Sequence, residues 1–377
     1  MAAAVLLLVA MQPGFHYAAS FTLRPPSAPR TRITAVTAQV TAERATVQHA
    51  GTDQLFEEAI ARCERVVNHD ESTTCLDDVP SLLQQVFAAD YEQAMVRADR
   101  AVTNVTCLCP EEDGDGHGLF NLDLIEFRSH HTRTGRQCHD GQCGSACSRV
   151  ALSGFATDAE CASLQQRADE LMESSTDAEI ECNGAESTVD LGDCARSRDV
   201  RTTLLLLRMI ERLRRAVAAE YGLQLASLES HHGFVSRIRS SAAHESYGII
   251  HADESSDFSY HYSAVLQLGT QGADFEGGDF VFFDDSSTGE DEPSQQRFPP
   301  QRGRAVLFSS GWENVHAIAP IDSGCRFTMP VFFGTGRWSG DDDVFDDAGG
   351  ATGAETTRRD PGEMEVEALL AFWSEIS

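Results

Sequence analysis

The sequence predicts an α+β protein in which a β-sandwich or jelly roll is supported by helices on one side and preceded by a Cys-rich region. Apart from a segment near the C-terminus, the long segments with helical apolar spacing lie before Gly222. From Leu223 onward the β-prone runs are short and are separated by turn residues. Ten of the eleven cysteines lie between Cys63 and Cys194. Helices followed by many short strands are typical of jelly-roll folds, including cupin-like ones, with helices against one face.

Residues 1–45 are predicted to be a targeting leader. Residues 2–11 are apolar, and small residues follow at Ala18, Ala19 and Ser20, as in a secretory signal with cleavage near Ala19. Residues 21–41 contain Arg, Thr and Pro but no acidic residue, which is also how a plastid-targeting segment reads. We expect the lumen of the endoplasmic reticulum or Golgi, with the plastid as the alternative.

Residues 46–147 form the predicted Cys-rich region. Helical spacing covers residues 52–67 and 79–102, whereas residues 107–147 are rich in Gly, Asp and His and lack periodicity. Clustered cysteines and the sequon Asn104-Val105-Thr106 favour disulfides in a secreted protein. A zinc site remains the alternative. Its candidate ligands are Cys138, Cys143, Cys147, His130, His131 and His139.

Composition excludes several classes of partner. The formal net charge is −30 and the chain contains no Lys, so the basic surface that nucleic acids and anionic membranes require is absent. No apolar run reaches the roughly 18 residues that a membrane span needs, so we expect no span beyond the possible signal segment. Oligomeric state stays open.

Residues 148–338 are predicted to be the catalytic domain. It opens with a strand at 150–155 and a helix that begins with the capping pair Thr157 and Glu160 and ends near Met172. A second helix covers residues 200–221, before Gly222. The β-prone runs are residues 234–238, 247–251, 260–268, 279–283, 305–308, 315–318 and 326–333. Residues 339–377 are predicted to be an acidic, disordered tail that ends in an amphipathic segment, 364–376, able to dock on the body.

The triplet His251-Ala252-Asp253 provides two candidate metal ligands. It ends a strand-like run, and residues two apart on a strand point to the same face. His316, 63 positions after Asp253, is the candidate third ligand on a later strand. Two histidines and one carboxylate leave three coordination positions open, which is the arrangement of non-haem Fe(II) oxygenases. We therefore expect an iron site at His251, Asp253 and His316.

Arg326 follows His316 by ten residues and is the candidate co-substrate anchor. Residues 320–324 have turn chemistry, which would fold the strand of Arg326 back beside that of His316. A guanidinium there can bind the distal carboxylate of 2-oxoglutarate in a bidentate manner, and Thr328 on the same face can donate a further hydrogen bond. Tyr247 could add another from the strand that carries His251.

Four segments of the sequence resemble the prolyl 4-hydroxylase-like 2-oxoglutarate and iron-dependent oxygenases. They are SGFATDAEC at 153–161, HADESSDFSYHYSAVLQL at 251–268, FEGGDFVFF at 275–283 and GRAVLFSSGWENVHAIAPIDSGCRFTMPVFF at 303–333. The resemblance covers about residues 150–335. It implies a double-stranded β-helix, Fe(II) on His251, Asp253 and His316, 2-oxoglutarate on Arg326, and ascorbate as a further cofactor. It also implies that dioxygen converts 2-oxoglutarate to succinate and CO2 while a C–H bond is hydroxylated.

The sequence departs from that family at two positions. Collagen-type prolyl 4-hydroxylases carry Lys at the position of Arg326, and a Tyr that often contacts 2-oxoglutarate is replaced by Gln267. Lysyl hydroxylases share the His-to-Arg spacing. We therefore expect hydroxylation of a protein or peptide side chain, prolyl first and lysyl second. The alternatives are a small-molecule hydroxylase and an inactive β-helix that binds a secretory partner.

Overall fold

The computed structural model describes residues 35–68, 78–105, 148–174, 181–182, 186–240, 250–257, 259–284, 294–335 and 361–376. The described residues from 45 onward form one compact unit. The helices are α1 (Ala35–Val67), α2 (Val79–Arg97), α3 (Asp158–Ser174), α4 (Leu191–Arg196), α5 (Val200–Glu220) and α6 (Pro361–Ile376). The strands are β1 (Asp99–Thr103), β2 (Arg149–Ser153), β3 (Glu181–Cys182), β4 (Glu186–Asp190), β5 (Glu229–Arg239), β6 (Tyr262–Gln267), β7 (Phe275–Gly277), β8 (Phe280–Asp284), β9 (Ser294–Phe298), β10 (Ala305–Ser309), β11 (His316–Ile318) and β12 (Ile321–Gly334).

The strands form two antiparallel sheets. The large sheet has the order β1-β2-β10-β6-β12-β5-β4-β3, and β7 pairs with the first residues of β12. The small sheet has the order β11-β8-β9. Helices α3 and α5 pack on one face of the large sheet, so the small sheet is left to cover the other. This is a double-stranded β-helix in an α+β protein, and the predicted fold class is confirmed.

Alternation along the long strand β12 explains how the two layers form. Phe327, Met329, Val331 and Phe333 are buried in the main apolar cluster together with residues of α3 and α5. Side chains on a strand alternate between its faces, so Arg326 and Thr328 point to the opposite side, between the sheets. A separate apolar cluster fills part of that space. Its buried members are Val265, Phe280, Phe282, Val306 and Phe308.

The predicted capping pair and helix stop are both present. Glu160 donates its backbone N–H to Thr157 Oγ1 at 3.2 Å, and its carboxylate accepts from the Thr157 N–H at 2.8 Å. Helix α5 ends at Glu220, and Gly222 follows with φ +65°, a left-handed conformation that glycine adopts without strain.

The Cys-rich region contributes helices and a strand to the same compact unit as the β-helix. Residues 99–102, predicted to be helical, belong instead to strand β1, which pairs along its whole length with β2. The helix ends earlier because Ala98 is extended and β-prone Val102 and Thr103 follow. Residues 51–67 and α2 share a buried apolar cluster with α5 and α6.

The C-terminal helix α6 is packed on the body. Val366 and Trp373 are fully buried in that same cluster, and Trp373 Nε1 donates to the Ala195 carbonyl oxygen at 3.4 Å. The predicted disorder of the tail is therefore wrong for residues 361–376, because their apolar face is covered. The acidic run at 341–347 lies outside the described residues.

Only part of the cysteine prediction falls on described side chains. Cys161 and Cys194 are buried free thiols, and burial raises the pKa of each to about 12. They are not joined to each other. The candidate zinc cluster and most of the predicted disulfide cysteines lie outside the described residues. Among the helices described, none is long and apolar enough to cross a membrane.

Candidate metal centre and co-substrate pocket

His251 and His316 are brought together by a two-way backbone pair. The His251 N–H donates to the His316 carbonyl oxygen at 3.0 Å, and the His316 N–H donates to the His251 carbonyl oxygen at 2.8 Å. The imidazole ring centroids lie 4.5 Å apart. Asp253 begins a 3-10 turn, Asp253–Ser255. The sequence predicts that His251 and Asp253 project from one face of a regular strand. In the structure, His251 forms an isolated bridge with His316 and Asp253 lies in a tight turn, so a bridge and a turn bring the two side chains together.

The three side chains converge on one point. Asp253 Oδ1 lies 3.4 Å from His251 Nε2 and 3.4 Å from His316 Nε2. One ligand atom from each side chain lies within 4.8 Å of the others, and across the described ranges this is the one group of its kind. Asp253 and His316 are buried, whereas the His251 side chain is 38% exposed. The cluster is thus accessible from the side of His251.

Asp253 is oriented by the neighbouring strand β6. Ser263 donates its hydroxyl to Asp253 Oδ2 at 2.6 Å and is itself 2.7 Å from the Ser310 hydroxyl. This leaves Oδ1 facing the two histidines. Burial on its own would raise the pKa of Asp253, but the adjacent His316 and His251 rings lower it overall, well below its ordinary value. Asp253 is therefore a carboxylate at neutral pH, as a metal ligand must be.

His316 is oriented from behind. Its Nδ1 lies 2.9 Å from the carbonyl oxygen of Asn314. A carbonyl can only accept, so this contact places a proton on Nδ1 and leaves Nε2 as the ring nitrogen that faces Asp253. Phe280 and Phe308 pack against the imidazole, with ring centroids 4.9 and 5.1 Å from it. The ligand is therefore held in a dry, rigid environment.

Arg326 is a buried cation with incomplete hydrogen bonding. It is 1% exposed, donates from Nε to the Gly278 carbonyl oxygen at 3.1 Å and contacts Thr328 Oγ1 through Nη1 at 3.4 Å. Among the described residues, its Nη2 is buried without a partner. Burial lowers the pKa of Arg326 to about 10, which still leaves it charged at neutral pH. Gly278, at φ +73°, keeps this approach open, because a Cβ there would lie 3.0 Å from Arg326 Cδ.

Gln267 stands opposite Thr328 in the β6–β12 pairing, and both polar atoms of its side chain are buried with no partner in the part of the chain that the structure describes. Unpaired buried donors are costly and rare, so these atoms and Arg326 Nη2 indicate a polar ligand. A carboxylate accepts from both a guanidinium and an amide N–H. The residues therefore fit the distal carboxylate of 2-oxoglutarate, and Gln267 occupies the place where the family often has Tyr.

Arg326 and His316 lie on opposite sheets. Strand β12 pairs with β5, β6 and β7, and β11 pairs with β8, so the predicted return of one strand beside the other is wrong. The chain instead crosses between the sheets after His316. Ser263 and Gln267 share the inner face of β6, about 13 Å apart at ~3.3 Å per residue, and so connect the metal end to the Arg326 end.

Tyr247 lies outside the described residues, and its predicted contact with 2-oxoglutarate stays a prediction. Ser263 and Asn314 contact Asp253 and His316. Both lie in segments that resemble the family, but sequence spacing alone does not predict these contacts. Their partners are set by strand register, which the sequence does not specify.

Comparison with known proteins gives an independent finding. The sequence model of the 2OG-Fe(II) oxygenase superfamily matches residues 235–334. The protein called 2-oxoglutarate and iron-dependent oxygenase domain-containing protein 3 from Xenopus tropicalis is 30% identical over 126 residues, which are 32% of this chain and 38% of that protein. Prolyl 3-hydroxylase 1 from Gallus gallus is 42% identical over 73 residues, which are 19% of this chain and 9% of that protein. The chain thus matches well under half the length of these relatives.

Solved structures of similar architecture include prolyl hydroxylases. One, from Trichoplax adhaerens, is described as a complex with a hypoxia inducible factor peptide; it has a TM-score of 0.37 and 13% identity over 53% of this chain and 86% of its own. The prolyl-4-hydroxylase from Pseudomonas putida has a TM-score of 0.33 and 20% identity over 49% of this chain and 91% of its own. The family match at residues 235–334 runs from within β5 to the end of β12 and includes the His-Asp-His group. The chain therefore contains a 2OG-Fe(II) oxygenase domain, homologous to the matching parts of those curated relatives.

Proposed function

We propose that this chain is an Fe(II)- and 2-oxoglutarate-dependent dioxygenase that hydroxylates a side chain of a protein or peptide. Prolyl is the favoured target and lysyl the second. The observation that carries the proposal is the convergence of His251, Asp253 and His316 between the two sheets, where Arg326 also presents a buried Nη2 that has no partner among the described residues.

In such an enzyme, one group of residues would bind the metal and another would bind the co-substrate. His251 Nε2, His316 Nε2 and Asp253 Oδ1 would hold Fe(II). Arg326, with Thr328 and Gln267, would bind the distal carboxylate of 2-oxoglutarate. When bound, Fe(II) and 2-oxoglutarate supply the oxidising chemistry, and succinate and CO2 are released.

The rest of the cavity preserves that arrangement. Ser263 keeps Oδ1 of Asp253 directed at the histidines, and the Asn314 carbonyl holds Nδ1 of His316 so that Nε2 is the nitrogen facing the metal position. Phe280, Phe282 and Phe308 exclude water from the inner side of the site. The carboxylate of Asp253 and the guanidinium of Arg326 both remain charged at neutral pH, so each can bind its ligand without a proton transfer.

A strip of aromatic side chains supports a peptide substrate. Tyr260 and Phe332 stack with ring centroids 4.4 Å apart, and Phe234 and His232 continue the strip at 6.4 and 4.7 Å. All four are at least partly exposed. Burial raises the pKa of Tyr260, and the charges of Asp257 and Asp253 add to the effect, in keeping with a position on the side of Asp253. Proline-rich segments dock on aromatic grooves of this kind.

The compartment and the accessory cofactor belong to the same proposal. The leader and the clustered cysteines favour the secretory lumen over the plastid. Ascorbate as a further cofactor is supported by the family resemblance.

The test is succinate formation from 2-oxoglutarate by the purified full chain, with separate pools of Pro-containing and Lys-containing peptides. The proposal predicts succinate and a mass gain of one oxygen in a Pro-containing peptide, both abolished in His316→Ala. Tyr260→Ala should raise the KM for the peptide without changing peptide-independent 2-oxoglutarate turnover. An iron-loaded, folded chain that oxidises no peptide from either pool would rule out protein hydroxylation.

A further inference from the structure

Arg149 is a buried arginine between the two sheets, outside the family-matched residues 235–334. It lies on β2, is 1% exposed, and its guanidinium carbon sits 4.1 Å above the ring centroid of Phe282. Its neighbours Val150 and Leu152 face the helices, so Arg149 faces the space between the sheets. A buried guanidinium is costly unless its fork of donors is used.

The fork is used on the turn that precedes His316. Arg149 Nε donates to Asn314 Oδ1 at 2.8 Å, and Nη2 donates to the Glu313 carbonyl oxygen at 3.3 Å. Both acceptors belong to the 3-10 turn Trp312–Asn314. The third contact, from Nη1 to Gln296 Oε1 at 2.9 Å, ties the same guanidinium to β9.

Asn314 passes this restraint to the metal ligand. Its amide Nδ2 donates to the carbonyl oxygen and the hydroxyl of Ser309, at 3.1 and 2.9 Å, so its side chain is fixed at both ends. Its carbonyl oxygen is the partner of His316 Nδ1. The direction of that carbonyl, and with it the rotation of the imidazole, is therefore set by contacts that converge from Arg149 and Ser309.

We propose that Arg149 is a positioning residue for the iron centre, acting on His316 through Asn314. The inference rests on the proposed function. Loss of the fork leaves the turn free to rotate, so His316 Nε2 no longer points steadily at the metal position. Groups that orient a ligating histidine typically change metal affinity by roughly 10- to 100-fold when removed.

The test measures metal binding, not turnover. Co(II) is titrated anaerobically into the wild type and Arg149→Met by calorimetry, and the Co(II) absorption spectrum is recorded. Arg149→Met should bind Co(II) roughly 10- to 100-fold more weakly with an altered spectrum. Arg149→Lys keeps the charge but not the fork, so its affinity should lie between the two. If Arg149→Met does not fold, Arg149→Lys provides the comparison with the wild type.

Two controls separate positioning from packing. Arg237→Met removes another buried arginine of the large sheet, one that pairs with Asp169 and Glu173 of α3, and should lower stability while leaving Co(II) affinity within about twofold. Gln296→Ala removes the contact between Arg149 and β9, which lies away from the turn. It should also leave Co(II) affinity within about twofold of the wild type. Asn314→Ala combined with Arg149→Met should bind Co(II) no more weakly than Asn314→Ala alone.

The outcomes are distinct. If the wild type binds Co(II) and forms succinate but Arg149→Met binds Co(II) equally well, the positioning role is overturned and the proposed function stands. Full additivity of the Arg149 and Asn314 variants would also overturn it. If the wild type binds no metal at all, both the positioning role and the proposed function fail.

Discussion

At the scale of single residues, the hydrogen bonding of the buried Arg326 guanidinium is incomplete among the described residues. Arg326 Nη2 and the side-chain amide of Gln267 are buried and have no hydrogen-bond partner among the described residues. Such groups lower the stability of the folded state unless a ligand completes their hydrogen bonds. Such a cost is tolerated where binding recovers it. We therefore propose that Arg326 binds a ligand, 2-oxoglutarate, and is not merely part of the packed interior.

Replacing Arg326 by Met should weaken 2-oxoglutarate binding selectively. Loss of a charge-assisted, bidentate hydrogen bond costs about 1.5–3 kcal/mol, so we expect the apparent Kd for 2-oxoglutarate to rise by roughly 10- to 150-fold. Co(II) affinity should stay near that of the wild type. The measurement is calorimetric titration of each ligand.

The matched control is Arg297→Met, which removes a half-exposed arginine of the small sheet that reaches Asp279 at 3.3 Å. It should leave both affinities unchanged. Equal effects of the two variants would contradict a role for Arg326 in the pocket.

The three metal ligands and Arg326 could be predicted from the sequence because their chemistry is concentrated in a short, spaced pattern. Ser263, Gln267 and Arg149 could not. Each acquires its role from the strand opposite to it, and that pairing is decided by packing across up to 165 positions of sequence, as between Arg149 and Asn314.

At the scale of elements, a buried ion cluster joins three helices. Asp90 of α2 accepts from Arg208 and from Arg212 Nε at 2.5 Å, both on α5, and Arg212 also reaches Glu160 of α3 at 2.5 Å. These helices support the large sheet from behind. The cluster therefore fixes the platform on which the inner strands sit.

Asp90→Asn should destabilise the fold by about 3–5 kcal/mol, because it leaves two buried arginines short of an anion. Glu57→Gln breaks the pair with Arg201, in which both side chains are half-exposed, and should cost about 1 kcal/mol or less. Urea unfolding at constant slope measures both. Equal losses would show that the buried cluster has no special weight.

Helix α6 carries Glu365, whose carboxyl group packs near Glu211 of α5. Burial raises its pKa to about 7, and the Glu211 carboxylate adds to the effect. The folded state therefore holds this proton more tightly than the unfolded state does, so stability is lost as pH rises from about 4.5 through 7. Glu365→Gln should remove that loss and be more stable above pH 7, by about 2 kcal/mol at most. Chemical unfolding of both proteins from pH 5 to 8 checks this, and a difference that does not change with pH would contradict it.

Several elements carried too little signal to be predicted. Strand β4 has the sequence ESTVD and β9 has SQQRF, neither of which shows apolar alternation. Strand β7 has three residues. Such strands form because a neighbouring strand supplies their hydrogen bonds, whereas α5 and β12 were predictable because their own residues define the buried face.

At the scale of the whole molecule, the boundary predicted at residue 148 does not separate independent parts. Strand β1 covers the edge of β2, and residues 51–67 with α2 cover apolar residues of α5 and α6. A chain that begins at residue 148 should therefore lose cooperative unfolding. The full chain should keep it. Calorimetry of the two checks this, and a cooperative transition in the shorter chain would contradict the account.

The measurement that tests the central claim most directly is the stoichiometry of Fe(II) bound by the full chain without oxygen, followed by exposure to oxygen with 2-oxoglutarate. We predict one Fe(II) per wild-type chain and succinate after oxygen is admitted, and neither in Asp253→Ala at the same concentrations. If folded Asp253→Ala binds Fe(II) and forms succinate as the wild type does, the iron is not held by His251, Asp253 and His316, and the site described between the two sheets is not the active site.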